Sequence, residues 1–376
     1  MQMNELERPL KILVLEGDGI GPEIVASTLL VLQAATRQTG TRMTLEAMDI
    51  GFKALRLHGT TMPDGTVEAA RAADGVILGP VSHDEYPPTE QGGKNPSGVL
   101  RKSLDLYANI RPAMTRPYVP SPIGRSFDLV IVRENTEGFY ADRTMFAGGG
   151  EFMPTPDLAL AVRKVTAQGS RRIAVSAFEL ARQRRRKVTA VHKANVLRMS
   201  DGLFLAHVRD VAREYPDIDY DEKIVDAMTA LLIRHPEKFD VLVTTNMFGD
   251  ILSDEAGELS GSLGMAASLN SGMAHAVAQA QHGSAPDIAG KDMANPVALI
   301  KSTAMLLRWL ALRLSYPDAG KAGDLIDLAV ETVLANPATR TPDLGGPLGT
   351  AAFTERICQE IADQAGARGR IISERT

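Results

Sequence analysis

Apolar residues along this chain recur in two rhythms, short continuous runs and helical spacings, and the two alternate. Residues 11–15 form an apolar run, residues 17–23 (GDGIGPE) a glycine-rich turn, and residues 24–35 carry apolar side chains at helical spacing. The chain therefore opens strand, turn, helix, and Pro22 suits the first helical turn because its missing N–H is not needed there. The alternation continues with a strand at 45–50, a helix at 66–73 and a strand at 75–78. Short buried strands are expected at 129–133, 172–176, 188–191 and 241–244, with helices at 177–186 and 199–214. Residues 141–156 hold three consecutive glycines and two prolines, so a loop or an extended arm is expected. Two long helices, at 296–314 and 324–334, close the chain. Strands alternating with helices predict an α/β fold, a sheet with helices on its faces.

Composition narrows the picture. The 376 residues are enough for two to three units at roughly 150 residues per domain. Lys and Arg total 41 against 46 Asp and Glu, a net charge of −5, which argues against a general nucleic-acid binder. The one cysteine, Cys358, cannot form an intramolecular disulfide, so a reducing compartment is permitted. No apolar run approaches the roughly 20 residues of a membrane helix, and the opening MQMNELERPL has no signal-peptide core. A cytoplasmic enzyme, with no nucleic-acid or membrane partner, is the expectation.

Several residues could carry chemistry. The turn at 17–22 is not G-x-G-x-x-G, because the third glycine comes one residue early, so a tight strand-to-helix turn is favoured over a dinucleotide fingerprint. Arg101, Arg111 and Arg133 each sit beside aromatic or turn residues. Guanidinium groups converging on one cleft would bind a substrate with more than one carboxylate; the alternative is that each pairs with a structural acid. Asp250 and Asp254 lie four apart on an expected helix, on one face. They are either a solvated acidic helix start or oxygen ligands for Mg²⁺ or Mn²⁺. Lys193 follows an apolar strand, where a partly buried amine could act as a base, with Tyr140 as a partner acid; a structural role is the alternative for both. The loop from His282 through Gly283, Ser284, Ala285 and Asp287 to Asn295 offers main-chain N–H groups to a nucleotide, unless it is an ordinary surface loop. Asp287 could accept ribose hydroxyls and would repel a 2′-phosphate. The basic run Arg182 to Lys187 reads as a solvated helix end.

Taken together, GDGIGPE, LRKSLDLYANIRP, VRENTEGFY, HKANV, FDVLVTTNMFGDILSDEAGELSGSLG, HGSAPDIAGKDMANP and RTPDLGG resemble, in order, the β-decarboxylating dehydrogenase family of isocitrate, 3-isopropylmalate, homoisocitrate and tartrate or D-malate dehydrogenases. The resemblance implies a two-domain isocitrate/isopropylmalate dehydrogenase-like α/β fold that is not a Rossmann fold. A discontinuous large cofactor-binding domain would take residues 1–106 and 262–376, and a small central domain, residues 107–261, would carry the arm and the dimer contact. It implies a homodimer whose active sites are shared, with Lys193 and the metal residue Asp226 supplied by the partner chain alongside Asp250 and Asp254. Arg101, Arg111 and Arg133 would hold the substrate's carboxylates. Lys193 would take the hydroxyl proton as hydride passes to NAD, CO₂ would leave, and Tyr140 would protonate C3. Asp287 in PDIAG implies NAD rather than NADP, and Asn295 would contact adenine.

Substrate choice rests on the loop before Arg101, where Asn95 and Ser97 would read the distal group. Isopropylmalate enzymes carry leucines where Ser97 and Gly98 stand, and tend to have Asp where His192 is. Isocitrate enzymes place Ser six and Asn four residues before the arginine, an order reversed here. A polar pocket fits a di- or tricarboxylate of isocitrate or homoisocitrate type better than an isopropyl group. The alternatives are 3-isopropylmalate, tartrate or D-malate, or a non-catalytic regulatory relative. Gln279-Ala280-Gln281 replaces the family's usual Glu-Pro before His282, and Ala267 a common Pro, so NAD affinity or loop rigidity is expected to differ.

Overall fold

The computed structural model describes residues 8–139 and 150–373, with side chains through residue 364. The chain begins β1 (Leu10–Leu15), α1 (Gly21–Thr39), β2 (Met43–Met48), α2 (Gly51–His58), α3 (Thr66–Ala72), β3 (Gly75–Leu78) and α4 (Pro96–Ser103). It continues with β4 (Ala108–Met114), β5 (Asp128–Glu134), β6 (Glu151–Thr155), β7 (Leu158–Ala161), α5 (Ala167–Arg182), β8 (Lys187–His192), α6 (Ser200–Glu214) and β9 (Asp219–Ile224). It ends with α7 (Val225–Arg234), β10 (Val241–Thr244), α8 (Asn246–Leu259), β11 (Ala267–Ser271), β12 (Ala276–Ala280), α9 (Val297–Arg313), α10 (Pro317–Ala335) and α11 (Thr350–Ser373). The architecture is α/β. Clustering of the chain gives two compact units, one from the described parts of Met1–Val99, Ser262–Leu269 and His275–Thr376, the other from Leu100–Gly261 and Asn270–Ala274.

In the first unit β2, β1, β3 and β12 pair side by side and parallel. Five of the six residues of β1 are buried, the near-continuous apolar run expected of a parallel strand covered on both faces. The GDGIGPE segment is the tight strand-to-helix turn its spacing predicts. At Gly19 φ is +56°, and a Cβ there would lie 2.0 Å from the carbonyl oxygen of Ser284, which accepts the N–H of Ile20 at 2.8 Å. The turn is thereby tied to the start of the 282–296 loop.

In the second unit the strand order is β4-β5-β10-β8-β9, antiparallel between β4 and β5 and parallel elsewhere. Alternate residues of β5 and β10 face opposite layers. Val130, Val132, Val241 and Val243 pack with Phe178 of α5 and Phe204 of α6, whereas Leu129, Ile131 and Leu242 pack with Met228 of α7 and Leu252 of α8. This second layer fixes α8 against the sheet.

Several expectations need correcting. Residues 172–176 are not a strand; they lie inside α5, where Ile173, Ala174, Ala177, Phe178 and Ala181 make one buried helical stripe. The five residues RIAVS look like a strand only when the window is that short. Thr166 starts the helix by accepting the N–H of Gly169 at 3.0 Å, and α5 ends at Arg182, four residues short of the expected 186. The basic run after it is not simply solvated: Arg184 donates to Asp240 at 2.7 Å and to Asp128 at 2.8 Å, and Asp240 is buried. The strand expected at 45–50 is β2, Met43–Met48, and a third helix, α11, follows the two expected to close the chain. Within 141–156, residues 151–155 form β6, which pairs antiparallel with β7 as an exposed hairpin; residues 141–149 lie outside the described residues. Residues 100–106 and 270–274 cluster with the second unit, not the first. Their bonds explain this: Asn135 donates to the carbonyl of Leu106 at 2.8 Å, and Asn270 accepts from Asn109 at 2.6 Å and Asn135 at 3.0 Å.

Phe178 is fully buried, with Tyr215 and Tyr220 at ring-centroid distances of 5.2 and 6.1 Å. Phe178→Ala is expected to lower stability by about 3–5 kcal/mol, read as a shift in the urea unfolding midpoint of the full chain.

Candidate active site

Arg111 on β4 and Arg133 on β5 project from the same face of their antiparallel pair, since Asn109 sits opposite Arg133 in register and Arg111 is two residues further on. Both side chains are buried, at 6% and 2% exposure. Arg111 donates through Nε to Asn109 at 2.9 Å and through Nη1 to Ser253 at 2.7 Å and Asp250 at 3.2 Å, with Asp254 at 3.5 Å. Arg133 donates to Asn246 at 2.7 and 3.1 Å and to Asp250. Two guanidinium groups thus share the carboxylate of Asp250. Burial, with Arg133 alongside, pulls the Arg111 guanidinium down to about 10. Burial pushes the Asp254 carboxyl up, against the pull of Arg111.

The acidic partners all come from one face of α8. Asn246, Asp250, Ser253 and Asp254 are spaced by four, three and one residues, which stacks them over successive turns. Gly249 permits the approach: a Cβ there would lie 2.7 Å from both Cβ and Cγ of Arg133. Sequence reasoning singled out the two aspartates and the two arginines; it missed Asn109, Asn246 and Ser253, which share their strand or helix face and were legible from that spacing. Arg101 lies on α4 and is half-buried.

Lys193 follows β8, and its Nζ is ion-paired with Asp226 in the first turn of α7. That pairing holds the Asp226 carboxyl below its ordinary value. His192, buried and with its imidazole pushed toward the neutral form by burial, accepts the N–H of Ala194 at 3.0 Å through Nδ1 and so shapes the turn around Lys193. Among the described residues no group of three or more His, Cys, Asp or Glu is placed to hold a metal, so Asp226 does not join Asp250 and Asp254 within one chain. As donors, Asp250 and Asp254 offer only oxygen, which suits Mg²⁺ or Mn²⁺. Tyr140 lies outside the described residues.

In the first unit the loop before α4 is held on Thr61, which accepts the N–H of Lys94 at 2.8 Å and donates to its carbonyl at 2.6 Å. Asn95 uses its Oδ1 to accept the N–H of Gly98 at 3.0 Å, and the buried hydroxyl of Ser97 donates to Oε1 of Gln279 at 3.0 Å. Further along, His282 has a buried Nε2 with no hydrogen-bond partner, and burial pushes its imidazole toward the neutral form. Gly283 has open space around its Cα, Ser284 bonds Ser82 at 2.7 Å, Ala285 has φ +40°, and Asp287 is exposed. An orphaned buried nitrogen beside open main chain fits a hydrogen-bonding nucleotide. Asn295 is already engaged, donating to Asp343 at 2.9 Å and accepting the N–H of Val297 at 3.0 Å.

The second unit thus sets a helix-presented acidic pair against buried arginines, and the first unit carries a loop with open main chain and a buried histidine nitrogen. The family profile described as isocitrate/isopropylmalate dehydrogenase matches residues 11–361. The chain is 40% identical to the homoisocitrate dehydrogenase of Methanocaldococcus jannaschii over 94% of its length and 98% of that protein. It is also 40% identical to the 3-isopropylmalate/3-methylmalate dehydrogenase of the same organism, over 94% and 99%. The crystal structure of isocitrate dehydrogenase from Methylococcus capsulatus superposes with a TM-score of 0.83 at 41% identity, covering 94% of this chain and 99% of that one. The chain belongs to the isocitrate/isopropylmalate dehydrogenase family. It is a decarboxylating hydroxy-acid dehydrogenase, of a family whose members need a divalent metal and NAD or NADP. No helix among the described residues is long and apolar enough to cross a membrane.

Gly249→Ala is expected to displace Arg133 and cut kcat/KM about 100-fold, the scale of an ångström-sized misplacement in an active site. Steady-state kinetics on the folded variant checks it.

Proposed function

We propose that this enzyme oxidatively decarboxylates a 3-substituted malate with NAD, and that its substrate is of isocitrate or homoisocitrate type. The shared carboxylate of Asp250 between Arg111 and Arg133 carries the reading: a site that already neutralises anion-binding and cation-binding groups against each other is ready to exchange them for a carboxylate substrate and a divalent cation. Overall identity does not select the substrate, since homoisocitrate and isopropylmalate enzymes match equally well. The polar lining at Asn95 and Ser97 favours a distal carboxylate, whose oxygens can compete with the present partners of these side chains, the N–H of Gly98 and Oε1 of Gln279, where an isopropyl group offers no hydrogen bond.

In this reading Arg101, Arg111 and Arg133 bind the carboxylates and orient C2 and C3. Asp250 and Asp254, with Asp226 of a second copy of this chain, would hold Mg²⁺ or Mn²⁺. His282, the main chain of Gly283, Ser284 and Ala285, and Asp287 would hold NAD; Asn295, though bonded to Asp343, would border the adenine. When bound, the nicotinamide accepts a hydride and the cation supplies a Lewis acid. Lys193, donated with Asp226 by the second copy, takes the proton of the C2 hydroxyl as the C2 hydrogen leaves with its electron pair. The bond from C3 to its carboxylate then breaks, CO₂ departs, and Tyr140 returns a proton to C3. This reading requires a homodimer, since Lys193 and Asp226 would reach the site of a second copy.

With Mn²⁺ present, NADH production is expected on isocitrate or homoisocitrate at a higher kcat/KM than on 3-isopropylmalate, tartrate or D-malate, measured spectrophotometrically; the reverse ranking removes the polar-pocket argument. Ser97→Leu is expected to lower kcat/KM for the favoured tricarboxylate about 100-fold. NAD is expected to exceed NADP in kcat/KM by more than about tenfold, a difference of 1.4 kcal/mol; a preference for NADP would overturn the role of Asp287.

A further inference from the structure

Behind Lys193 lies a buried charge pair that the proposed chemistry does not use. Asp201, the second residue of α6, is fully buried. One of its oxygens accepts the main-chain N–H of Lys193 at 2.5 Å, and the other accepts Nη1 of Arg163. The Arg163 side chain is 8% exposed and reaches Ser200 at 3.1 Å and Thr245 at 2.9 Å. Its guanidinium lies 5.2 Å from the ring centroid of Phe248 and 5.9 Å from that of Phe139. The next residue, Lys164, exchanges main-chain hydrogen bonds of 3.0 and 2.7 Å with Gly138.

Stability alone does not account for such a pair, since a buried ion pair roughly breaks even against apolar side chains of similar volume. What it does specify is position. Thr245 is the residue that starts α8, and Phe248 lies two residues before Asp250. One guanidinium therefore joins the strand end that carries Lys193, the start of the helix that carries Asp250, and the ring of Phe139.

We propose that Arg163 is a positioning residue for the oxidation step: through Asp201 it holds the main chain of Lys193, and so sets where the amine can reach the C2 hydroxyl. The inference rests on the reading of Lys193 as the proton acceptor. Arg163 reaches the main chain of Lys193 through Asp201 and meets α8 at Thr245 and Phe248, ahead of Asp250, so its loss is expected to fall on turnover more than on binding.

The test compares Arg163→Gln, Arg163→Lys and Lys193→Ala with the wild-type full chain, by steady-state kinetics on the best substrate of the panel and by thermal unfolding. Arg163→Gln is expected to lower kcat about 100-fold with KM within about threefold. Arg163→Lys, which keeps the charge but cannot bond Asp201 and Thr245 in the same fork, is expected to recover about tenfold of that loss. If Arg163→Gln does not fold, Arg163→Lys carries the test, with kcat about tenfold below wild type and KM unchanged. A folded variant with wild-type kcat, or one whose defect lies in KM or only in the unfolding temperature, overturns the inference while an inert Lys193→Ala leaves the base assignment standing. Turnover retained in Lys193→Ala overturns the base assignment itself.

Discussion

The second unit is organised around one carboxylate. Two guanidinium groups buried side by side repel each other and resist burial, which is why the Arg111 group is drawn down to about 10. Asp250 makes the arrangement tenable by accepting from both. Much of the local fold follows from that requirement. The antiparallel pairing of β4 and β5 puts both arginines on one face, Gly249 lets α8 approach Arg133, and Asn246, Asn109 and Ser253 take up the remaining donors. Removing the shared carboxylate would leave buried charge uncompensated, a penalty on the order of 3–5 kcal/mol.

The same arrangement explains how a site can be both stable and ready. With arginines and aspartates neutralising each other, no charge is stranded before ligands arrive. In the proposed function a substrate carboxylate would compete with Asp250 for the guanidinium groups, and a divalent cation would compete with the guanidinium groups for Asp250 and Asp254. Each ligand would release the group the other needs, so the two would bind with positive coupling by linkage.

Much of this was legible in the sequence where the signal is local. The alternation of apolar runs and helical spacings predicts the α/β class, and Asp250 and Asp254 at four-residue spacing predict the shared helix face. Signals that act across the chain were not legible. Arg163 and Asp201 are 38 residues apart and share no periodicity, so nothing local points to their contact. Residues 172–176 misled because a short stretch carrying Ile173 and Val175 cannot be told from a slice of buried helix. Lys193 and Asp226 illustrate an intermediate case: only the family resemblance joined them, and the ion pair between them gives that association a physical form.

In the proposed function, substrate and cation exchange partners at Asp250. Titration calorimetry of Mn²⁺ into the full-length enzyme, without and then with saturating isocitrate or homoisocitrate, tests it most directly. The substrate is expected to tighten Mn²⁺ binding by more than about tenfold, and Mn²⁺ to tighten substrate binding by the same factor. Equal Mn²⁺ affinity in the two titrations would contradict it.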